Sequence, residues 1–89
     1  MATGKIVVKA LDMGQEIKDE AVKVAKEALA EHKLERDIAK HVKQTFDKRY
    51  SPTWHCIVGK SFGSFVTHET NGFIYFYIDD IAFLLWKSG

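Results

Sequence analysis

The residues of this chain that could carry nucleophilic chemistry are a single cysteine and its neighbouring histidine, Cys56 and His55. A thiol beside an imidazole can form a nucleophile and its base. The surrounding pattern predicts a strand, however, and adjacent strand residues project to opposite faces of a sheet. We therefore expect Cys56 to be a small buried apolar residue beside Trp54 and Val58, with His55 out of reach of its sulfur.

Metal and phosphate chemistry have little support in the spacing of the other candidate residues. The four histidines, His32, His41, His55 and His68, contain no i, i+4 pair, and a lone cysteine cannot form a Cys-x-x-Cys motif. The run from Gly59 to Gly63 lacks the full spacing of a phosphate-binding loop. We therefore expect no metal, no cofactor and no catalytic residues.

Two helices are predicted in the first half of the chain. Asp12 and Gln15 form a weak capping box before a helical repeat that includes Ile17, Val24 and Leu29. The repeat breaks near His32, and a second helix is predicted from Glu35 to Arg49, ended by Pro52. No Ser, Thr, Asn or Asp directly precedes this second helix, so we expect its first N–H groups to lack a side-chain cap.

Strands are predicted where the pattern alternates. They are Lys5–Leu11, Trp54–Val58, Phe62–His68, Phe73–Ile78 and Ile81–Trp86. The breaks between the later ones contain Gly59, Asn71-Gly72 and Asp79-Asp80, of which Asn71-Gly72 is the strongest turn signal. Periodicity alone favours a hairpin between the second and third strands, at Gly59-Lys60-Ser61.

Both faces of the strand Phe73–Ile78 are apolar. Phe73, Tyr75 and Tyr77 face one way, and the alternate residues face the other. Two helices of this short chain can cover one face well, which predicts that a second copy covers the other in a two-fold dimer. The alternative is that the helices straddle the sheet, one on each face. The tyrosine face suits an interface or a groove, because a tyrosine combines apolar area with a hydroxyl group.

Phe62–His68 carries small residues in mid-strand, Gly63 and Ser64, beside Phe62, Phe65 and Val66. A glycine there lets another backbone approach closely, as a guest peptide adding a strand requires. An ordinary hairpin strand with a bulge explains the same composition equally well.

The composition predicts one domain over residues 1–89. The chain has 13 basic and 12 acidic residues and a net charge of +1, so we expect neither nucleic acid nor a membrane surface as its partner. The single cysteine and the lack of a signal-peptide pattern at the N-terminus are typical of a reducing cytosol.

The run Trp54-His55-Cys56-Ile57-Val58-Gly59 closely resembles the cytoplasmic dynein light chains of the eight-kilodalton class. The same holds for Ser61–Glu69, for Phe73–Tyr77 and for the ending Lys87-Ser88-Gly89. This resemblance implies an α+β fold in which a five-stranded antiparallel sheet is flanked by two helices. It further implies a symmetric, strand-swapped homodimer in which Phe62–His68 crosses to the partner's sheet.

The resemblance also implies a function without enzymatic activity. Family members bind extended segments of partner proteins, often with a Thr-Gln-Thr motif, as an added strand in two grooves of the dimer. They thereby dimerise or align partners that include the dynein intermediate chain, in the cytoplasm and on the microtubule cytoskeleton. The alternative function is that of a dedicated inhibitor or regulator of one enzyme.

The resemblance assigns residues to this groove. Glu35 and Arg36 would hold the guest glutamine, and the residues implied for the backbone ladder, the pockets and the groove walls are Phe62, Gly63, Ser64, Phe65, Val66, Thr67, His68, Lys9, Phe73, Tyr75 and Tyr77. Phe65 and Arg36 depart from the common tyrosine and lysine, which bears on partner preference. His55 and Ser88 are implied to lie near the dimer interface, where protonation of His55 or phosphorylation of Ser88 would place like charges together.

Overall fold

The computed structural model describes residues 4–88, which form two helices and four strands. In chain order they are β1 (Ile6–Asp12), α1 (Gln15–Glu31), α2 (Glu35–Tyr50), β2 (Trp54–Gly59), β3 (Phe73–Ile78) and β4 (Ile81–Lys87). Gly89, the last residue of the C-terminal motif, lies outside the described residues, as do positions 1–3. The α+β fold class is confirmed.

The four strands form one antiparallel sheet in the order β1-β3-β4-β2. A two-residue turn, Asp79-Asp80, joins β3 to β4 directly, with Ile78 opposite Ile81. Asp79 has a φ of 54°, and its carboxylate accepts hydrogen bonds from the backbone N–H groups of Gly4 and Lys5. This turn therefore also fixes the chain just before β1.

Both helices begin without a side-chain cap. The lack of a cap on α2 was predicted, and its N-cap residue is Leu34. The predicted capping box at α1 is wrong, because Gly14 is its N-cap and Asp12 ends β1. The Asp12 carboxylate instead accepts a hydrogen bond from the N–H of Asn71, 3.2 Å away. No helix in residues 4–88 has the length and apolar content needed to cross a membrane.

The core lies between the two helices and one face of the sheet. Helix α1 contributes a stripe that includes Val24, and α2 contributes one that includes Phe46. Both stripes join one apolar cluster with the sheet residues of a single face, which include Trp54, Ile74, Phe76, Phe83 and Leu85. The alternative with one helix on each face is therefore wrong, and we name the opposite side of the sheet the outer face.

The outer face carries Tyr75, Tyr77, Leu84, Ile57 and Trp86, which the strand register places side by side. No helix of the described chain packs there. Part of the face is covered by the connection between β2 and β3, whose Phe62 ring lies 5.9 Å from the Tyr75 ring. Ile57 remains 39% exposed, so the sheet has an apolar outer surface that the described part of one chain does not fully bury.

The strand predicted over Phe62–His68 is absent from the single chain, as is the hairpin at Gly59-Lys60-Ser61. A strand needs a neighbour for its backbone groups, and this segment runs across the outer face instead of returning along β2. The turn signal at Asn71-Gly72 is confirmed, with Asn71 at a φ of 65° and the Gly72 N–H donating to the Glu69 oxygen. It leads into β3 without closing a hairpin.

Candidate functional site: a free sheet edge and an aromatic outer face

Strand β2 forms one edge of the sheet, and it pairs only with β4 among residues 4–88. A cleft runs between this edge and helix α2. Its walls combine apolar β2 residues with charged helix residues: Glu35, Arg36, Ala39, Lys40, Lys43, Gln44, Asp47, His55, Cys56, Ile57, Val58 and Trp86. We call this the edge cleft. Free backbone groups of an edge strand are ready to pair with another extended chain.

The beginning of α2 lies at one end of the edge cleft. Glu35 and Arg36 are both exposed, and no side chain caps the helix above them. The backbone N–H groups of Asp37 and Ile38 donate to the Leu34 oxygen. Those of Glu35 and Arg36, at the very start of the helix, have no partner within it, so they remain available to an acceptor from outside. Two residues of the predicted binding set, Glu35 and Arg36, are thus placed together beside the free edge.

A second group of predicted residues lies across the sheet, on the outer face of β1 and β3. The Lys9 ammonium is 5.7 Å from the centre of the Tyr77 ring, within range of a cation–π interaction. The Tyr77 and Tyr75 hydroxyls are 3.4 Å apart, and this hydrogen bond raises the pKa of Tyr75. Phe62 extends the row beyond Tyr75. We call these four residues the aromatic row.

Lys9 reaches the aromatic row because β1 is irregular at that point. The register with β3 shifts between Val8 and Ala10, which leaves Lys9 as an extra residue. Such a bulge turns a side chain away from its regular direction. The sequence carries no glycine or other visible signal for this bulge.

The segment Phe62–His68 makes no backbone hydrogen bond to any other part of residues 4–88. Phe65 is fully exposed, at 103% of its reference area, and Gly63, Ser64 and Thr67 are exposed as well. A Cβ atom added at Gly63 would meet nothing within 4 Å. The ends are held by Phe62 on Tyr75 and by His68, whose ring stacks on Phe73 with centroids 4.6 Å apart, and Val66 between them is half-buried.

His55 and Ser88 contact each other next to the edge cleft. The His55 Nε2 atom is 3.1 Å from the Ser88 hydroxyl, and the His55 ring lies against Trp86. Ser88 is also fixed by its backbone N–H, which donates to the Thr53 oxygen. The two residues predicted to act as switches are therefore neighbours within one chain.

Cys56 lies on the opposite side of β2 from His55. It packs against the core cluster together with Trp54 and Val58, as the alternation predicts. Burial raises the pKa of its thiol to about 12, so the thiol remains protonated near neutral pH. This is the opposite of the lowered pKa that a nucleophilic cysteine needs.

Asp47 links α2 to β2, a role that the residue pattern does not predict. Its carboxylate accepts the backbone N–H of Trp54 at 2.8 Å and contacts the Lys43 ammonium. Burial acts to raise the pKa of Asp47, but the bonds from Lys43 and Trp54 outweigh it and lower the pKa overall. The link holds the start of β2 beside α2, next to the edge cleft that Asp47 lines.

Three possible metal ligands meet at the turn between the helices, and the sequence reasoning missed them. Glu31 and His32 at the end of α1 lie beside His41 of α2. An i, i+4 spacing indicates a metal site within one helix, whereas this cluster forms across two helices. A predicted helix hairpin with a short turn is the signal that could have found it.

The predicted binding residues thus form two groups that one chain does not unite. Glu35 and Arg36 line the edge cleft beyond β2, while the aromatic row lies on β1 and β3, with β4 between them. The first group has a free sheet edge and an uncapped helix start, and the second has aromatic side chains next to an unpaired segment. The free backbone groups can pair with an extended chain, and the side chains around them can form pockets for its residues.

Known proteins of similar sequence identify the family of this chain. The family model for dynein light chain type 1 matches residues 5–88. A dynein light chain of Schistosoma mansoni is 56% identical over 89 residues, which is the full length of both chains.

Solved structures agree at the level of the fold. The dynein light chain-like domain of the Fasciola hepatica calcium binding protein FhCaBP2 superposes with a TM-score of 0.84 at 24% identity, over 100% of this chain and 96% of that one. The similar domain of CsTAL3 gives a TM-score of 0.75 at 15% identity, over 93% and 92% of the two chains. The length and the identity of the sequence match establish that this chain belongs to the dynein light chain family.

Proposed function

We propose that this protein is a non-enzymatic, dimeric hub that binds short linear segments of other proteins as an added β-strand. The observation that carries the proposal is that one chain leaves two sets of backbone groups unpaired, and each set could pair with the other. β2 has a free edge, and Phe62–His68 is an extended-type sequence whose backbone has no partner in residues 4–88. Two copies can pair both sets by exchanging Phe62–His68.

In the proposed dimer, Phe62–His68 of each chain pairs with β2 of the other and gives each sheet a fifth strand. The outer faces then meet, which covers apolar residues such as Ile57 and Trp86. The exchanged strand would also carry Phe62 and Phe65 toward the partner's edge cleft. This supports two identical grooves, each built from both chains.

A guest segment would pair with the far side of the exchanged strand. Its backbone would continue the ladder, and its side chains would enter pockets beside Gly63, Phe65 and Thr67. A glutamine of the guest would reach Glu35 and Arg36, where its amide oxygen can accept an uncapped helix N–H. Phe65 and Arg36 would tune which guests fit.

The proposed guests have Thr-Gln-Thr-type segments, and the dynein intermediate chain is the first candidate in view of the family. In that role the protein would act in the cytoplasm, on the microtubule motor. A dimeric guest that fills both grooves gains about 10²–10⁴ in avidity over a single site. The protein would then align two chains without transforming either.

The test is isothermal titration of the chain with a Thr-Gln-Thr peptide, alongside sedimentation to establish the dimer. One peptide per chain is expected, and a variant with alanine in place of the glutamine should bind much more weakly. A panel of unrelated peptides separates a hub, which binds many, from a dedicated inhibitor, which binds one. A monomer that binds no peptide would contradict the proposal.

A further inference from the structure

The turn between α1 and α2 carries an arrangement of side chains that does not serve the peptide site. Glu31 ends α1, His32 is its C-cap residue and His41 lies in α2. The His41 Nδ1 atom is 3.2 Å from the His32 Nε2 atom and 3.3 Å from the Glu31 Oε2 atom. One ligand atom from each residue lies within 4.8 Å of the other two.

From these contacts we infer that Glu31, His32 and His41 form a binding site for a divalent transition-metal ion of the zinc type. Zinc bonds to histidine nitrogen and carboxylate oxygen are about 2.0–2.2 Å long, so two ligands of a tetrahedral ion lie about 3.3–3.5 Å apart. The separations of His41 from His32 and from Glu31 are close to this distance. Two imidazoles and a carboxylate are also a donor set that zinc commonly accepts.

Hydrogen bonding alone satisfies this cluster poorly. When both histidines are neutral, two arrangements of the proton are possible. In the first, His41 Nδ1 carries the proton, and His32 and Glu31 share it as acceptors. In the second, His32 Nε2 carries the proton and donates it to His41 Nδ1. In the second case its lone pair is used, and the Glu31 oxygen faces an atom with nothing to donate. The rings meet at 68° with centroids 5.3 Å apart, so they are not stacked face to face. A cation between the three atoms satisfies all of them at once.

The backbone around the cluster is well positioned for such a site. The His32 N–H donates to the Ala28 oxygen, which fixes the residue at the end of α1, and the His41 oxygen accepts from the Thr45 hydroxyl. The Glu31 side chain is 61% exposed and that of His41 is 22% exposed, so an ion can enter from solvent. Water would complete the coordination in the fourth position.

An ion bound there would connect the last turn of α1 to α2. Because the unfolded chain does not hold the three ligands together, binding would stabilise the folded state in proportion to the logarithm of the free ion concentration. The inference does not depend on peptide binding, since none of the three residues lines the edge cleft or belongs to the aromatic row.

The test measures Zn²⁺ binding to the full chain by competition with a chromophoric chelator, with Glu31→Gln, His32→Gln and His41→Gln as site variants. One ion per chain is expected, and each substitution should weaken binding by at least about 10-fold, since even second-shell changes cost 10–100-fold. Glu16→Gln removes the same charge at the other end of α1 and should leave binding unchanged. Circular dichroism confirms that each variant is folded.

Co²⁺ in place of Zn²⁺ gives an independent signature. Strong visible absorption is expected, because tetrahedral cobalt absorbs far more than octahedral cobalt, and it should be lost in His32→Gln. The inference fails if the wild-type chain binds no Zn²⁺ in molar excess. It also fails if the His32→Gln/His41→Gln double variant binds as tightly as the parent, since the ion would then be held elsewhere.

Discussion

At the scale of single residues, β2 shows how alternation separates chemistry that the sequence places side by side. Cys56 faces the core and His55 faces Ser88 and Trp86, so the two never combine. The thiol packs against the core, and the imidazole belongs to a half-buried cluster beside the edge cleft.

The Cys56 thiol should make stability fall at high pH. Its pKa is about 12 in the folded chain against an ordinary 9.0, so above pH 9 the unfolded chain loses this proton first. Folding stability then declines with a slope approaching about 1.4 kcal/mol per pH unit, and it is unaffected by this group below pH 8. Urea unfolding at fixed protein concentration should show Cys56→Ala losing about 1 kcal/mol less than the parent between pH 8 and pH 10. Equal losses would contradict the assignment.

His55 should make the proposed dimer sensitive to acid. A proton on His55 would put a positive charge on each chain next to the proposed interface, where the two charges repel. Sedimentation equilibrium should show dissociation between pH 7 and pH 5. His55→Lys should be monomeric at both values and His55→Gln dimeric at both. A parent dimer constant that does not change over this range would refute the switch.

A negative charge at Ser88 should act at the same place. The Ser88 hydroxyl touches His55 and its backbone is fixed, so a carboxylate or phosphate there cannot move far away. Ser88→Glu should weaken dimerisation and peptide affinity together, whereas Ser88→Ala removes only the hydroxyl and should change both little. A Ser88→Glu protein that stays dimeric at low micromolar concentration would rule this out.

At the scale of elements, the turn before β3 is held by close packing. A Cβ atom at Gly72 would lie 3.1 Å from the Lys87 Cβ and 3.2 Å from the Glu69 oxygen. The Gly72 oxygen also accepts the Lys87 N–H at 2.9 Å, so the two backbones cannot separate freely. This one glycine therefore sets how the connection joins the sheet.

Gly72→Ala should destabilise the fold by about 1–3 kcal/mol, the usual cost of overpacking a tight contact. Asn71→Gly is the matched variant, because Asn71 has a positive φ of 65° that glycine adopts without strain. It should leave stability unchanged or raise it slightly. Chemical unfolding of both variants provides the measurement, and equal stabilities for the two would show that the contact is unimportant.

The elements that the sequence predicted best are those with a strong local period. Apolar spacing and helix or strand breakers predict both helices and the absence of a cap on α2. They also predict the three strands that the structure places at Trp54–Gly59, Phe73–Ile78 and Ile81–Lys87. The bulge at Lys9 and the role of Asp47 depend on contacts between elements, which spacing does not record. Phe62–His68 has strand composition but no strand in one chain, because its pairing partner is not local.

At the scale of the whole molecule, the exchange of Phe62–His68 can be tested with proline. Alternate residues of a strand direct their N–H groups to opposite neighbours, so one side of the exchanged strand would pair with β2 and the other with the guest. Proline removes one N–H group. In the single chain this segment makes no backbone hydrogen bond within residues 4–88, so the rest of the fold should tolerate the change.

Of the two adjacent variants Phe65→Pro and Val66→Pro, one should lose dimerisation, and with it the groove. The other should remain dimeric but bind the Thr-Gln-Thr peptide far more weakly. Sedimentation and titration on the same samples make the distinction, and circular dichroism verifies the fold. If both variants dimerise and bind like the parent, the segment is not a shared strand.

The uncharged composition of Trp54–Gly59 has a further consequence for a chain without a partner. Natural edge strands are usually guarded by lysine, proline or a charged side chain that discourages unwanted association. This one has none of these. Single chains that keep Trp54–Gly59 unchanged should therefore be hard to keep in solution, and we expect them to precipitate or assemble into fibrils at concentrations where the parent remains clear.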